Sequence, residues 1–278
     1  MKPFTLNING TLRTFDKPQI MGILNLTPDS FFDGGKYIDN CDAIRSRIDK
    51  MLADGANIVD LGAYSTRPGA DDVSEDEEWR RLEPALKILS NHYPNTIVSV
   101  DTFRARVAQQ CVESGVVGII NDISAGTLDA NMFATVAQLH VPYILMHIQG
   151  HPKNMQNAPT YDDVTTEVIK FLSEKVLELH RLGVADIIID PGFGFGKTVQ
   201  HNYTLLKNLN NLTIFDMPIL VGISRKSMIY KLLGTTPQES LNGTSILNTI
   251  SLMNGASILR VHDVKEAAEC VKIVEQLA

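Results

Sequence analysis

The stretch IVSVDTFRARVAQQCVESGVVGIIND, residues 97–122, carries the pattern on which the fold turns. An Ile/Val-rich run, 97–100, ends at Asp101. A longer amphipathic stretch follows, and a second apolar run, 117–121, ends in Asn121 and Asp122. Neither run alternates strictly between apolar and polar, as expected of strands buried on both faces. Working outward, the same unit recurs on both sides. Runs at 20–25 and 58–61 precede it, and runs at 143–147, 187–190, 219–223 and 257–261 follow it.

The stretches between runs have helical spacing. Ile44, Ile48, Met51 and Leu52 share one face, as do Val168, Phe171, Leu172, Val176 and Leu179, and Val264, Ala267, Ala268, Val271 and Val274. Ser74 with Glu77 reads as a capping box opening a helix before Trp79, and the acidic run 75–78 suits a helix N-terminus. The short segment after the fourth run leaves room for a small helix only. Eight strands alternating with helices predict an α/β fold, a (β/α)8 TIM barrel, as a single domain over residues 1–278. A doubly wound open sheet is the second reading.

The chain has 278 residues, 44% of them hydrophobic, enough for a large core. Its net charge of −7, with acidic and basic residues mixed, argues against a nucleic-acid-binding surface. Cys41, Cys111 and Cys270 are far apart and form no C-x-x-C pair, so reduced structural thiols are expected. No apolar stretch of about 18 residues suggests a membrane span, and the first twenty residues do not read as a signal peptide. A cytoplasmic location is expected.

Each run ends in polar residues that a plain scaffold does not need: Asn25, Asp60, Asp101, Asn121-Asp122, His147, Asp190, Ser224-Arg225-Lys226, and Arg260 with His262. In a barrel the carboxyl ends of all strands form one rim. Taken singly, each residue has a plainer reading. Asp60 and Asp101 could cap the following helices, His147 could be a packing histidine, and Lys197 and Arg67 could be solvated loop charges. Together they would leave buried charge unpaired unless a polar ligand filled the rim. Asn25, Arg260 and His262, from neighbouring first and last strands, suit a phosphate-type oxyanion. Asp101, Asn121 and Asp190 suit a neutral heterocycle rich in N–H donors.

The glycine-rich stretch from Gly192 to Thr198 imitates a phosphate loop, but its spacing is one residue short because Pro191 stands where the first glycine is needed. The glycines instead suit a tight turn beside a flat ligand, with Phe195 available to pack on it.

The motifs resemble the dihydropteroate synthase family. Met21 to Phe31 with Asp33-Gly-Gly35 is similar to its first signature, and Ser65-Thr66-Arg67-Pro68-Gly69 to its second. Ser99-Val-Asp101-Thr, Asn121-Asp-Ile123, Leu145-Met-His147, Asp190 to Lys197, Ser224 to Ser227 and Arg260 to Asp263 follow in the family's order. The resemblance implies condensation of 6-hydroxymethyl-7,8-dihydropterin diphosphate with 4-aminobenzoate, giving dihydropteroate and pyrophosphate. It implies a pterin site of Asp101, Asn121, Ile123, Met146, Asp190, Phe195 and Lys226, and a diphosphate site of Asn25, Thr66, Arg260 and His262. Phe31, Arg67, Pro68, Lys226 and Ser227 would form the aminobenzoate site, and Mg²⁺ would sit at Asn25 and Asp33. Asn25, Asp33, Lys226, Arg260 and His262 would then carry the catalysis.

A homodimer is implied by the same resemblance. The long segments 27–40 and 62–73 read as loops closing over the amine site. One departure stands out: Gly62-Ala63-Tyr64 replaces a Gly-Gly-Glu common in the family. Two other functions fit part of the pattern. A folate-dependent methyltransferase serving a corrinoid protein would keep the heterocycle residues but need no diphosphate site. A non-catalytic pterin-binding barrel would keep the pocket without turnover.

Overall fold

The computed structural model describes residues 2–27, 41–65, 72–151, 155 and 158–277. A short antiparallel hairpin comes first, β1 (Phe4–Ile8) and β2 (Thr11–Phe15). Its turn is Asn9-Gly10, with φ of 49° and 77°. A type I′ two-residue hairpin loop takes positive φ at both positions, which Asn and Gly tolerate best. The pattern of long apolar runs does not reveal this hairpin.

Eight parallel strands follow: β3 (Gln19–Asn25), β4 (Ile58–Gly62), β5 (Ile97–Asp101), β6 (Val117–Asp122), β7 (Tyr143–Met146), β8 (Ile187–Asp190), β9 (Leu220–Val221) and β10 (Ile258–Val261). They pair in the order β8-β7-β6-β5-β4-β3-β10-β9, and a bridge from Ile189 to Ile219 closes the ring. The barrel expected from the eight runs is therefore present, and the open-sheet reading fails at that closing bridge.

The helices are α1 (Cys41–Ala53), α2 (Glu75–His92), α3 (Ala105–Glu113), α4 (Met132–Leu139), α5 (Val164–Arg181), α6 (Val199–Lys207), α7 (Ser227–Leu233), α8 (Leu241–Met253) and α9 (Val264–Val274). The helix after the fourth barrel strand, α4, has only eight residues. Ser74 caps α2, its hydroxyl accepting from Glu77 N at 3.2 Å. The reciprocal half of the expected box is missing, because Arg80 and Arg81 bind the Glu77 carboxylate. The full box opens α6 instead, between Thr198 and His201.

The barrel interior changes character along its axis. At the amino-terminal end each strand contributes one apolar side chain: Met21, Ile58, Ile97, Ile119, Ile144, Ile188, Leu220 and Ile258 pack together, and Leu6, Ile8 and Phe15 of the hairpin plug the layer from below. Side chains two residues on share the same face of a strand. That step gives Ile23, Asp60, Ser99, Asn121, Met146, Asp190, Gly222 and Arg260, and one more gives Asn25, Gly62, Asp101, Ile123, Ile148, Gly192, Ser224 and His262. The floor is thus dry and the upper layers are polar, so the alternation of each strand, read together, delivers the functional groups to one end.

Candidate active site

Arg260 organises the upper layers. Its Nε donates to Asp60 Oδ2 and its Nη2 to Asp101 Oδ2, both at 2.7 Å, across the barrel interior. Asp60 is fully buried and also accepts from Asn121 Nδ2 at 3.2 Å. The carboxylates pull the Arg260 pKa above its ordinary value although burial opposes this. Burial pushes the Asp101 carboxyl up to about 7; Arg260 opposes the shift, and the Asp60 charge adds to it. Neither Asp60 nor Asp101 caps a helix. Asp122, whose side chain points the other way, anchors the following turn through Ser124, Gly126 and Tyr143.

The division of the rim into a heterocycle side and an anion side is therefore not clean. Arg260, read with the anion residues, is bound to Asp101, read with the heterocycle residues. His262 has its Nδ1 at 3.1 Å from Ser224 Oγ. Burial and then Arg260 lower its pKa to about 3, so the imidazole is neutral. Asn25 ends β3, half-buried at the rim.

Asp190 ends β8 and accepts from Gly192 N at 2.7 Å. Burial raises its pKa, against the pull of Lys226. Lys226 follows Arg225, whose left-handed backbone (φ 55°) is held by a two-pronged ion pair to Asp263 at 2.7 and 2.6 Å. The Lys226 ammonium donates to Phe193 O and stands 4.6 Å from the centre of the Phe195 ring. Burial lowers its pKa to about 8, with Asp190 opposing. Ile123, Met146 and Ile148 form an apolar wall with Phe103 and Phe195 packed on it. Ser227 opens α7, as the sequence suggested.

Asp101, Asn121, Ile123, Met146, Asp190, Phe195, Lys226, Asn25, Arg260 and His262 thus occupy the carboxyl-terminal end of the barrel. Phe31, Asp33, Thr66, Arg67 and Pro68, and most of the two loops expected to close over the amine site, lie outside the described residues. Tyr64 lies edge-on to Phe103 at 5.0 Å, with the Arg104 guanidinium 5.1 Å from its ring centre. Arg104 also binds Glu78 and Asp72. Sequence reasoning left Asp60 as a possible cap and Lys197 as a possible surface charge; both are buried among these groups. The signal for Asp60 was its two-residue offset from Ile58 of the floor. A cleft of about 460 Å³ at the opposite end, beside Phe4 and Asp186, contains none of these residues.

This is a barrel whose carboxyl-terminal end gathers buried polar groups beside an apolar wall, the form of a ligand-processing enzyme of the TIM-barrel class. The sequence profile of the pterin-binding enzymes matches residues 21–262. The chain is 43% identical over 272 residues to the dihydropteroate synthase of Escherichia coli K12, covering 96% of this chain and 94% of that one. Its structure is similar to Yersinia pestis dihydropteroate synthase in a sulfonamide drug complex, with a TM-score of 0.92 and 42% identity, covering 99% of this chain and 98% of the other. It is also similar to Xanthomonas albilineans dihydropteroate synthase with 4-aminobenzoic acid, at a TM-score of 0.89 and 37% identity, covering 98% and 97%. The chain belongs to the dihydropteroate synthase family of pterin-binding enzymes.

Proposed function

We infer that the chain joins 6-hydroxymethyl-7,8-dihydropterin diphosphate to 4-aminobenzoate, releasing pyrophosphate and forming 7,8-dihydropteroate for folate synthesis. The observation that carries this reading is the gathering of Asp101, Asn121 and Asp190 around one pocket with Arg260 and Lys226 between them. Carboxylates accept from ring N–H and exocyclic NH₂ groups. Asn121 donates its own N–H to Asp60, which turns its carbonyl oxygen toward the role of acceptor. The apolar wall with Phe195 suits the faces of a flat ring.

At the adjoining edge, Asn25, Thr66, Arg260 and His262 would hold the diphosphate. Arg260, held by two carboxylates, would offer its charge to the departing pyrophosphate. As the C–O bond breaks, its electron pair leaves with pyrophosphate and positive character develops on the pterin methylene carbon. The neutral amine of aminobenzoate attacks that carbon and then gives up one proton to the released pyrophosphate or to water. Phe31, Arg67, Pro68, Lys226 and Ser227 would position that amine. The backbone N–H groups opening α7 would favour its carboxylate.

Mg²⁺ is proposed as the metal, held by Asn25 and Asp33. The amide oxygen of Asn25 at the rim fits an ion that takes oxygen ligands and keeps several waters. When bound, it supplies further positive charge to the leaving group.

A homodimer is proposed on the exposed apolar stripe of α8, Ile246, Ile250 and Met253, continued by Leu232 and Leu233 at the end of α7. We place the chain in the cytoplasm, where thiols such as the buried Cys111 and Cys270 stay reduced. No described helix is long and apolar enough to cross a membrane.

The test is pyrophosphate release by the purified chain with the pterin diphosphate and Mg²⁺, with and without 4-aminobenzoate. Release that depends on aminobenzoate is expected. Release that ignores it, or none, would overturn the reading.

A further inference from the structure

Lys197 belongs to neither substrate set, yet it is one of the most buried charges in the described structure, at 3% exposure. Its Nζ donates to Gly192 O at 2.8 Å and to Phe195 O at 3.2 Å, and it meets His147 Nδ1 at 2.9 Å. Burial lowers the Lys197 pKa to about 7, with Asp190 opposing; in its ammonium form the three protons match these contacts one for one. Two acceptors belong to the turn after β8, and the third to the residue that follows β7. Burial, then the neighbouring ammonium, lowers the His147 pKa to about 2, so its ring is neutral and Nδ1 can accept. The ring is wedged against Phe171 at 4.9 Å, so it is a fixed acceptor.

That turn needs outside support. Gly192, Gly194 and Gly196 all have left-handed backbones, with φ of 70°, 81° and 62°. Glycine loses more conformational freedom on ordering than any other residue. The turn is also pressed on its neighbours: a Cβ at Gly192 would stand 1.8 Å from His147 O, and one at Gly196 would stand 2.3 Å from Gln149 O. Asn202 of α6 fastens the middle by accepting from Gly194 N at 2.7 Å. On its pocket side the turn carries Phe195, half-buried against the apolar wall.

We propose that Lys197 is a positioning residue for the pterin site: by tying Gly192 O and Phe195 O to His147, it fixes the glycine turn so that the Phe195 ring stands ready as one wall of the pocket. It acts through Phe195 and touches no substrate. The proposal rests on the pterin reading of the rim. It predicts a larger loss for the pterin than for aminobenzoate, because Phe195 lines the pterin pocket directly, whereas the turn reaches the aminobenzoate set through Lys226, which donates to Phe193 O.

Lys197→Met keeps the chain length and removes the donors, and Lys197→Arg restores a cation with donors. Binding of 6-hydroxymethylpterin is followed by fluorescence titration, folding by thermal melting, and KM for both substrates by pyrophosphate release. Lys197→Met is expected to melt cooperatively, to bind the pterin about tenfold more weakly with KM for the pterin diphosphate rising in parallel, and to keep KM for aminobenzoate within about twofold. Lys197→Arg should recover part of the affinity. A folded Lys197→Met that binds the pterin within about twofold of the unaltered chain overturns the proposal, as does an equal rise in both KM values. If Lys197→Met does not fold, His147→Leu, which removes one of the three acceptors, decides: about threefold weaker pterin binding supports the proposal and unchanged binding overturns it. Failure of the unaltered chain to bind 6-hydroxymethylpterin would instead sink the pterin reading, and the proposal with it.

Discussion

The centre of the site is a single residue, Arg260, and its two carboxylate partners make it costly to remove. Arg260→Ala leaves Asp60 and Asp101 buried without their cation, so a stability loss of about 3–5 kcal/mol is expected. The deficit should shrink on acidification, because protonating the stranded carboxylates removes the uncompensated charge. Chemical denaturation at several pH values would show this, and a pH-independent deficit would contradict it. Asp101 itself carries a pH signature. It must be ionised to accept from a ring N–H, so pterin affinity should fall by up to about tenfold per unit as the pH drops below about 7.

Stability runs in the opposite sense. The folded-state pKa of Asp101 is raised, so its contribution is fully present below the ordinary carboxylate pKa and is lost as the pH rises through about 7. The melting temperature of Asp101→Asn should therefore gain on that of the unaltered chain between about pH 5 and pH 8, while pterin binding is weakened throughout. A variant that unfolds outright would instead assign Asp101 a structural duty.

At the scale of elements, the barrel strands were legible because fully buried parallel strands announce themselves as continuous Ile/Val/Leu runs. The shortest, β9, is two residues where five were expected, since only Leu220 and Val221 complete a ladder with β10. The hairpin lies outside the long apolar runs, and its one sequence signal is Asn9-Gly10 between two short alternating stretches. What no single strand reveals is the change of polarity up the barrel axis. Asp60 looked like a cap when read alone, and only its register above Ile58, beside Ser99 and opposite Arg260, puts it inside the barrel. Lys197 was unreadable for a similar reason: its partners, His147 and the turn carbonyls, come together only after the strands close. The hairpin plug gives a separable test. Phe15→Ala opens a cavity beneath the dry floor and should cost about 3–5 kcal/mol in denaturant unfolding while leaving both KM values unchanged. A change in KM would mean that the floor and the rim are coupled.

At the scale of the whole molecule, the apolar stripe on α8 is the feature the barrel alone does not explain. Ile246 is 52% exposed and Met253 64%, so the stripe is not core. Ile246→Glu should convert a dimer to a monomer in sedimentation equilibrium with little effect on pterin binding; an unchanged mass would place any subunit contact elsewhere. The barrel's two ends also make opposed claims on a ligand. The rim offers paired carboxylates, an arginine and a flat apolar wall, whereas the far end offers a cleft beside the hairpin. The most direct measurement is a crystal structure of the chain with 6-hydroxymethyl-7,8-dihydropterin diphosphate. The expected result is a pterin ring bonded to Asp101, Asn121 and Asp190 with its diphosphate toward Asn25, Arg260 and His262. A ring bound at the hairpin end, or at the rim without contact to those three residues, would contradict the account.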